Sequence, residues 1–376
     1  MSEARVERAA WLRLGLIPGI GPATQRALLT AFGLPEAVFA SGRAAIAAVV
    51  GESATSLLLD TDNRTEVEKA LAWAEVPGNH LLTLADHGYP QSLLQAGDPP
   101  LILYAKGRIE LLQAPSLAMV GSRNATAQGI ENARAFAANL SQAGVTVVSG
   151  LALGIDAAAH RGGLEGPAST IAFIGTGADR IYPTRNAELA RRIAVEGLIV
   201  SEFALGTPPL SHNFPRRNRL IAAIARGTLV VEAAPASGSL ITARLAGELG
   251  REVFAIPGSI HSPLSRGCHQ LIRQGAKLVE SAQDILEEFS WAGSGMPPNA
   301  PQAAAAGAMH QADAAEPEAE RLLSLMGFDP IDLDSLCTRS NLTPEVLFAM
   351  LLTLELDGRV EKLPGNRFQQ LPPSAA

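Results

Sequence analysis

The feature that most constrains the fold is a series of seven short apolar runs, most of which end in small polar residues. They occupy residues 117–120, 145–148, 170–174, 198–200, 229–231, 252–256 and 277–279. Helical patterns lie between runs, such as 128–143, which ends at Gly144. Continuous apolar runs indicate strands buried on both faces, and strands that alternate with helices form right-handed βαβ units. We therefore predict an α/β fold with an extended Rossmann-like, doubly wound, mostly parallel sheet.

Changes in composition divide the chain around this sheet. At 376 residues the chain is longer than a domain with a single hydrophobic core usually is, which predicts several domains. We predict a small helical domain at 1–75, because the segment is Ala-rich and helical in pattern, and the Rossmann-like domain at 76–290. Residues 291–316 combine Gly, Ser, Pro and Ala without periodicity, which predicts a flexible linker. Residues 317–376 show three helical patterns and then a hairpin pattern, which predicts a winged-helix domain.

The distribution of charge permits a nucleic-acid partner, although the net charge is −7. Residues 116–290 hold 16 Lys and Arg against 14 Asp and Glu, so the excess acid lies in the two ends. Surface attraction depends on local fields, which fade over about 8 Å at physiological salt. There is no signal-peptide pattern, no apolar run of about 18 residues and no CxxC pair. We expect a cytoplasmic protein without membrane insertion or a disulfide framework.

The loops at the carboxyl ends of the strands are the place where open parallel sheets bind ligands. Glycine lets a backbone approach a ligand closely, and helix N-termini bind anions. Any one of these loops is about equally well explained as a tight turn, but four on one edge, with arginine added, favour phosphate binding. The four loops are Gly121-Ser122-Arg123, Ser149-Gly150, Gly175-Thr176-Gly177 and Ser237-Gly238-Ser239.

The sequence lacks the usual signatures of nucleotide cofactors. Gly175-x-Gly177-x-x-Arg180 has no third glycine and follows the third strand instead of the first, so it is a poor dinucleotide fingerprint. No GxxxxGK[ST] phosphate loop is present. We therefore expect neither an NAD site nor an ATP site of these kinds, and no cofactor.

The densest basic cluster of the central domain is Phe214-Pro215-Arg216-Arg217-Asn218-Arg219, just before a helical pattern at 220–225. Guanidinium groups match phosphate oxygens, and aromatic rings accept unstacked bases, so the cluster suits single-stranded nucleic acid. The alternative is a solvated helix start with salt bridges. Arginine at a helix N-terminus opposes the helix dipole, which weakens that alternative because an anion would compensate.

Catalytic and metal-binding patterns are weak. Asp156 and His160 lie four residues apart on one predicted helix face, but no third potential ligand stands at a spacing typical of metal sites. A structural His–Asp hydrogen bond is the expectation there. Cys268 and His269 are adjacent, and adjacent residues on a helix do not face each other. We predict no catalytic residues and no metal site.

The end domains carry weaker signals for nucleic acid. Residues 17–21, Ile-Pro-Gly-Ile-Gly, resemble a helix–hairpin–helix turn whose amides can hold a phosphate, but a plain turn between packed helices explains them about as well. In the winged-helix domain, Thr343 and Pro344 begin the predicted recognition helix at 344–356. That helix contains Glu345 and Glu355 and no Lys or Arg, so we expect the domain to contact protein or to be structural.

Taken together, these motifs resemble the DprA (Smf) family of DNA-processing proteins over about residues 89–280. The resemblance implies a homodimer that binds single-stranded DNA during natural transformation. It also implies that the protein displaces or admits single-strand-binding protein and loads the recombinase RecA. The matching strings are Val120-Gly121-Ser122-Arg123, residues 149–156 with Ala159-His160, Gly175-Thr176-Gly177 with Tyr182-Pro183 and Asn186, residues 214–219, residues 237–243, and Gly250-Arg251 through Ile256-Pro257-Gly258.

The resemblance further implies a set of DNA contacts. In such proteins the arginine after Gly-Ser, here Arg123, contacts the DNA backbone, and segments 184–186 and 214–219 line the same pocket. This chain departs from the family at Thr184, where many members have lysine and where Arg185 would substitute, and at Cys268-His269, where Thr-Asn is usual. The predicted single-stranded-DNA-binding residues are Gly121, Ser122, Arg123, Gly150, Gly175, Gly177, Arg185, Asn186, Phe214, Arg216, Arg217, Asn218, Arg219, Ser237, Gly238, Ser239 and Thr242.

Two other functions remain compatible with the sequence. A nucleotide-processing hydrolase would use the same strand-end pocket, with Asp156 or Glu232 as the acid, and would turn over a nucleotide. An interaction scaffold would need only the terminal domains and would tolerate replacement of the arginines.

Overall fold

The computed structural model describes residues 3–95, 97–289 and 318–371, so the predicted linker at 291–316 lies outside the described residues. The N-terminal part is helical, and its helices bury a shared core that includes Trp11, Leu28 and Leu58. Tyr104 of the central sheet belongs to the same core, so these helices pack against one edge of that sheet. The helices are α1 (Glu3–Gly15), α2 (Pro22–Phe32), α3 (Pro35–Ala40), α4 (Arg43–Asp60) and α5 (Arg64–Ala74).

The helix lengths bear on the expectation about membranes. Among the described residues no single helix is long and apolar enough to cross a bilayer, and α4 with α5 meets the length and composition criteria only as a pair bent by 67°. The turn at 17–21 lies between α1 and α2, with Ile17 and Ile20 buried. Gln25 of α2 donates hydrogen bonds to the carbonyl groups of Leu14 and Ile20, which holds this turn against the helices.

The described central region contains a nine-stranded sheet with the spatial order β1-β2-β6-β5-β4-β3-β7-β8-β9. The seven predicted runs are the parallel strands β3 to β9, which confirms the α/β prediction. Two further strands, β1 and β2, add an antiparallel edge next to β6. The strands are β1 (Asn79–Thr83), β2 (Ile102–Gly107), β3 (Ser116–Val120), β4 (Thr146–Ser149), β5 (Thr170–Phe173), β6 (Leu198–Ser201), β7 (Gly227–Val230), β8 (Glu252–Ala255) and β9 (Lys277–Leu278).

Helices cover both faces of this sheet. Successive residues of a strand point to opposite faces, and here the residues on both faces are apolar and packed. Leu117 and Met119 of β3 pack in one apolar cluster, while Ala118 and Val120 pack in another on the opposite face. The strands are therefore buried on both sides, as their continuous apolar runs predict. The helices are α6 (Gln91–Leu94), α7 (Ala127–Gln142), α8 (Ile155–Gly163), α9 (Ala187–Glu196), α10 (Asn213–Ile224), α11 (Gly238–Glu248), α12 (Arg266–Arg273) and α13 (Ala282–Glu288), with 3₁₀ turns at Ile109–Gln113 and Thr184–Asn186.

The strand order reverses between β3 and β7, which creates a crevice at the carboxyl ends of these strands. From β3 the chain winds outward to β6 on one side, and from β7 it winds outward to β9 on the other. The backbone N–H of Ser122, just after β3, donates to the carbonyl of Glu232, just after β7, over 2.8 Å. The reversal thus brings together the loops that follow β3 and β7.

The C-terminal part forms the predicted winged-helix domain. Its three-stranded antiparallel sheet has the order β10-β12-β11, and α16 begins with Pro344 after Thr343, as the sequence predicts. Its apolar core, which includes Leu336, Leu347 and Phe368, is separate from the cores of the central sheet. The elements are α14 (Glu318–Met326), β10 (Ile331–Asp332), α15 (Leu333–Ser340), α16 (Pro344–Leu356), β11 (Val360–Leu363) and β12 (Arg367–Gln370).

Candidate nucleic-acid interface

The loop after β3 places Arg123 at the carboxyl edge of the sheet. The Thr126 hydroxyl caps α7 by accepting from the Gly129 N–H over 2.9 Å, and it donates to the Glu232 carboxylate over 2.5 Å. These bonds fix the loop between β3 and α7. Arg123 is exposed, and the central carbon of its guanidinium lies 5.8 Å from the centre of the Phe214 ring. The guanidinium makes no hydrogen bond or ion pair with another described residue, so it is available to an anion.

The Gly-Ser that precedes Arg123 lies close to α8. A Cβ on Gly121 would come within 2.5 Å of the Ile155 side chain, so this position admits only glycine without rearrangement. The Ser122 carbonyl accepts from the Ile155 N–H at the start of α8 over 3.1 Å. Packing against α8 therefore explains the tight turn here and leaves Arg123 pointing outward.

Arg217 lies inside the protein, not on the surface of the basic cluster. Only 4 % of the residue is exposed, and Nη1 donates to the carbonyl groups of Gly150 and Phe173. Burial lowers the pKa of the guanidinium to about 10, while the nearby Asp156 opposes that shift. A Cβ on Gly150 would collide with this guanidinium, which explains the glycine. Arg217 therefore ties together the loops after β4 and β5.

The other two arginines of the cluster flank a buried carboxylate. Glu202, which follows β6, forms an ion pair with Arg219 and lies 3.4 Å from Nε of Arg216. Burial raises the pKa of the Glu202 carboxyl, and the two arginines act in the opposite direction. The Arg219 side chain is largely enclosed, whereas the Arg216 side chain is 45 % exposed. Among these three arginines, Arg216 alone presents its guanidinium to solvent. Asn218 of α10 is half-buried.

The start of α10 packs on the glycine loop after β5. Asn213 Nδ2 donates to the Gly175 carbonyl over 3.0 Å, and a Cβ on Gly175 would lie 3.0 Å from the Phe214 ring. A Cβ on Gly177 would lie 2.7 Å from the Ala204 carbonyl oxygen. Close packing therefore leaves little room for a side chain at Gly175 and none at Gly177. Together with the hydrogen bond from Asn213, this packing holds the Phe214 ring at the strand ends.

Tyr182 and Arg180 also lie at this edge, and neither is among the DNA-binding residues predicted from the sequence. The centre of the Tyr182 ring is 5.7 Å from that of Phe214, with 40° between the ring planes, and 44 % of Tyr182 is exposed. Arg180 is exposed two residues earlier. The Tyr-Pro pair of the family motif and the arginine after Gly-x-Gly are the signals that could have indicated them.

The segment after Tyr182 separates into an exposed residue and a buried one. Asn186 is buried, and its Nδ2 donates to the carbonyl groups of Leu151 (2.9 Å) and Ala152 (3.1 Å), so it supports the loop after β4. Arg185 is exposed and makes no hydrogen bond or ion pair with any residue of the described ranges. Arg185 is thus available to an anion, and Asn186 is not.

The serine loop lies after β7, which is next to β3 in the sheet but on the side away from β4 and β5. Ser237 caps α11 by accepting from the Ser239 N–H over 3.3 Å, and Ser239 and Thr242 are buried on that helix, which begins at Gly238. None of the contacts found in the described part of the chain joins this loop to Arg123 or Tyr182. The structure therefore brings together the loops after β3, β4 and β5 with α10, and leaves the serine loop beside them.

The predicted hydrogen bond between Asp156 and His160 is wrong. Asp156 accepts from the N–H groups of Gly150 (3.1 Å) and Ala152 (3.3 Å), and His160 contacts the Leu151 N–H (3.2 Å) and the Thr170 hydroxyl (2.7 Å). Both side chains point from α8 to the β4 loop, where backbone donors are closer partners than each other. Burial raises the pKa of Asp156 and lowers that of His160 to about 3.

No cluster of three potential metal ligands is found among the described residues. The Cys268 thiol is buried at 3.6 Å from the Val230 and Val231 carbonyl oxygens, and burial raises its pKa to about 12. His269 points away, with Nε2 3.0 Å from the Gly258 carbonyl oxygen. The adjacent thiol and imidazole therefore do not form a nucleophile and base pair.

The fold and the edge residues define a class: a Rossmann-like protein with exposed arginines and aromatic rings at its strand ends, joined to a winged-helix domain. The model of the family DNA recombination-mediator protein A matches residues 80–290, and that of the DprA winged helix domain matches residues 298–366. This chain belongs to the DNA recombination-mediator protein A family, a family of DNA-processing recombination mediators.

Relatives and solved structures agree with this assignment. Protein Smf of Escherichia coli is 42 % identical over 304 residues, which cover 81 % of this chain and 80 % of that protein. The crystal structure of DNA processing protein A from Streptococcus pneumoniae matches with a TM-score of 0.66 and 37 % identity, over 77 % of this chain and 99 % of that one. A structure of the Helicobacter pylori protein, described for its single-stranded DNA binding mode, matches with a TM-score of 0.52 and 31 % identity, over 56 % and 96 % of the two chains.

Proposed function

We propose that this protein binds single-stranded DNA along the carboxyl edge of its central sheet and loads RecA onto that DNA as a recombination mediator in natural transformation. The observation that carries the proposal is the position of Arg123. Its guanidinium is exposed beside the Phe214 ring, so a ligand for phosphate lies next to a surface for a base. The single-stranded DNA binding mode described for the Helicobacter pylori relative supports the same polymer.

The electrostatics of this edge favour a polyanion despite the negative net charge. Three arginines of this edge are exposed, Arg123, Arg180 and Arg185, and two carboxylates near them in the chain, Asp179 and Glu188, are exposed as well. Glu232 accepts from the backbone N–H and the hydroxyl of Thr126, and Glu202 is enclosed by arginines. Three exposed cations against two exposed acids, with the other two acids paired internally, leave a local excess of positive charge, which is what attracts phosphates.

The remaining partners belong to the same proposal. Loading RecA requires that the protein reach DNA already covered by single-strand-binding protein, so that protein is a second partner. We also propose a homodimer in the cytoplasm, and we propose that the winged-helix domain contacts protein. Of the predicted DNA-binding residues, Arg217 and Asn186 would act by holding loops, since their side chains are buried and bonded to backbone carbonyl groups.

A nucleotide-processing hydrolase is less well supported by the geometry. The two acids suggested for it already have partners. The buried Asp156 carboxylate accepts hydrogen bonds from backbone N–H groups, and the Glu232 carboxylate accepts from the N–H and hydroxyl of Thr126. A general acid or base must reach the proton that it transfers. These two carboxylates instead hold the loops after β4 and β3.

Binding of fluorescent oligo-dT to Arg123→Ala, measured by anisotropy at two salt concentrations, tests the proposal. Loss of one charged hydrogen bond costs about 1.5–3 kcal/mol, so we expect affinity to fall by about 10-fold or more. The salt slope should fall by about 1, as for a lost phosphate contact. Arg192→Ala is the matched control, because it removes the same charge from an exposed ion pair with Glu196 on α9.

The outcomes separate DNA binding from RecA loading. Equal affinity of wild type and Arg123→Ala would contradict DNA binding at this edge. RecA loading is read from the time that RecA needs to form filaments on DNA covered by single-strand-binding protein. Wild type should shorten that time and Arg123→Ala should not. A wild type that binds DNA without shortening the time would leave the protein a DNA binder without the loading role.

A further inference from the structure

Two aromatic rings from separate parts of the chain meet at the carboxyl edge of the central sheet (the strand-end edge). Phe214 lies in the first turn of α10, and Tyr182 lies in the loop between β5 and α9. Their ring centres are 5.7 Å apart with 40° between the planes. This distance is within the range of interacting aromatic pairs, so the two rings form one tilted aromatic pair.

Phe214 is the inner ring of this pair, and its position is fixed. Its ring lies against Gly175, and the neighbouring Asn213 side chain anchors the start of α10 to the Gly175 carbonyl. The Arg123 guanidinium lies 5.8 Å from the centre of the Phe214 ring. With the Gly175 backbone, Tyr182 and Arg123 around it, Phe214 is only partly exposed, so Tyr182 offers the more open ring of the two.

Tyr182 is the outer ring, and much of its surface faces solvent. Its exposed fraction is 44 %, and the adjacent Ile181 is 40 % exposed. A ring that is packed against another ring on one side and open on the other offers a ready stacking surface for a further planar group.

The cations around Tyr182 identify the planar group. Arg180 precedes it by two residues and Arg185 follows it by three, and both are exposed. Arg123 lies on the Phe214 side of the ring pair. A planar group that carries a phosphate on each side is a nucleotide within a single strand, whose bases are free to stack on protein rings. An isolated aromatic ligand would not need flanking guanidinium groups.

We propose that Tyr182 is a base-stacking residue: one unstacked base of bound single-stranded DNA lies on its outer face, and Phe214 supports the ring from behind. This role rests on the proposed function and assigns part of its affinity to a residue that carries no charge. Every base has a flat face, so the stack is indifferent to sequence. It requires a base, however, and a bare sugar-phosphate chain would lose it.

The test compares oligo-dT with an abasic oligonucleotide of the same length, using wild type, Tyr182→Leu and Tyr182→Trp. Leucine keeps an apolar side chain but has no flat ring, and tryptophan keeps a ring. Loss of one base stack weakens binding by about 5-fold or more. We therefore expect Tyr182→Leu to weaken binding of oligo-dT by at least this factor and to bind the abasic chain as wild type does. Tyr182→Trp should retain the affinity for oligo-dT, and the salt slope should be the same for all three proteins.

The outcomes distinguish this inference from the proposed function. If wild type binds neither oligonucleotide, DNA binding itself is wrong. If wild type binds oligo-dT and Tyr182→Leu binds it equally well, only the stacking role is wrong. An equal loss by Tyr182→Leu on both oligonucleotides would also overturn the stacking role, because the lost contact would not involve a base. A 2-aminopurine base in the oligonucleotide gives a second reading, since stacking quenches its fluorescence and Tyr182→Leu should relieve that quenching.

Discussion

At the scale of single residues, His160 shows how a buried side chain supports the DNA-facing edge. The Thr170 hydroxyl donates to the Val147 carbonyl over 2.7 Å, so it must accept from His160 Nδ1. That leaves His160 Nε2 without a proton, able to accept from the Leu151 N–H over 3.2 Å. Leu151 has a φ of 60°, a left-handed conformation that costs energy for a non-glycine residue. A neutral His160 therefore helps to hold the loop after β4.

His160 predicts a dependence of stability on pH. Burial lowers its pKa to about 3 in the folded protein, from an ordinary 6.5. Between these values the unfolded chain binds a proton that the folded protein does not, so stability present above pH 6.5 is lost as the pH falls. The loss is about 1.4 kcal/mol per pH unit in this window, or about 2 kcal/mol from pH 6.5 to 5. In urea unfolding at both pH values, His160→Gln should show less of this loss than wild type.

An exposed histidine provides the comparison for that measurement. His261 is exposed, so His261→Gln should keep the pH dependence of wild type. If His160→Gln loses as much stability between pH 6.5 and 5 as wild type does, then His160 does not stay neutral in the folded protein. The difference between variants isolates His160 from the buried acids Asp156 and Glu202, which are unchanged in all three proteins.

At the scale of elements, Arg217 joins α10 to the ends of β4 and β5. Lysine keeps the charge at this position, but its side chain is shorter by one atom and its ammonium is more strongly hydrated than a guanidinium, so it would not reach the position from which Nη1 donates to both carbonyl groups. One carbonyl would be left unsatisfied at a cost of about 1–3 kcal/mol. We therefore expect Arg217→Lys to lower the free energy of unfolding in urea by about that amount. Its affinity for oligo-dT should also fall, because the loops after β4 and β5, which form part of the proposed DNA-binding edge, would be held less firmly.

The comparison of stability with affinity decides what Arg217 does. Arg192→Lys, which changes an exposed i,i+4 ion pair on α9, should alter neither quantity. If Arg217→Lys lost affinity for oligo-dT without any loss of stability, Arg217 would be a direct DNA ligand that turns outward on binding. If it kept both, the two carbonyl bonds would have no structural importance.

The elements also show what the sequence could predict. The strands β3 to β9, α7 and the winged helix follow from apolar runs and capping residues that are local in the chain. The direction of Arg217 does not, because it depends on where α10 begins. The helix predicted from the sequence is at 220–225, whereas α10 begins at Asn213. From that start Arg217 shares the buried face of the helix with Asn213, Leu220 and Ile224, while Arg216 lies outside it.

The sequence predicts which edge of the sheet carries the candidate site, but not which side chains contact one another there. The parallel sheet brings its carboxyl-end loops to one side, so Arg123 and the glycine loops could be placed there from their positions after strands. The pairing of Tyr182 with Phe214 joins two segments on either side of β6, and no local pattern encodes it. The same holds for the ion pair of Glu202 with Arg219, which withdraws one predicted phosphate ligand from the surface.

At the scale of the whole molecule, the charges and the cores separate DNA binding from the C-terminal domain. The winged-helix domain has its own apolar core, and α16 contains acidic residues without Lys or Arg. Its contacts with the central sheet domain include the ion pair of Arg339 with Glu131 on α7, at 2.7 Å. Removing the domain would therefore expose polar surface at the start of α7 and take Arg339 away from it, but it would leave the three arginines of the central domain, Arg123, Arg180 and Arg185, in place.

A chain of residues 1–290 should therefore fold and bind oligo-dT with nearly the affinity of the full chain. The strand-end edge, with Arg123, Tyr182 and Phe214, lies wholly within this part, and the shortened chain also lacks the excess acid of the C-terminal end. Anisotropy at two salt concentrations gives the affinity, and Arg123→Ala in the shortened chain should lose as much as it does in the full chain. A large loss of affinity in the shortened chain that still unfolds cooperatively would move part of the DNA interface onto the winged helix. In that case the wing, with Lys362 and Arg367 on β11 and β12, would be the surface to change next, because α16 has no cation to offer.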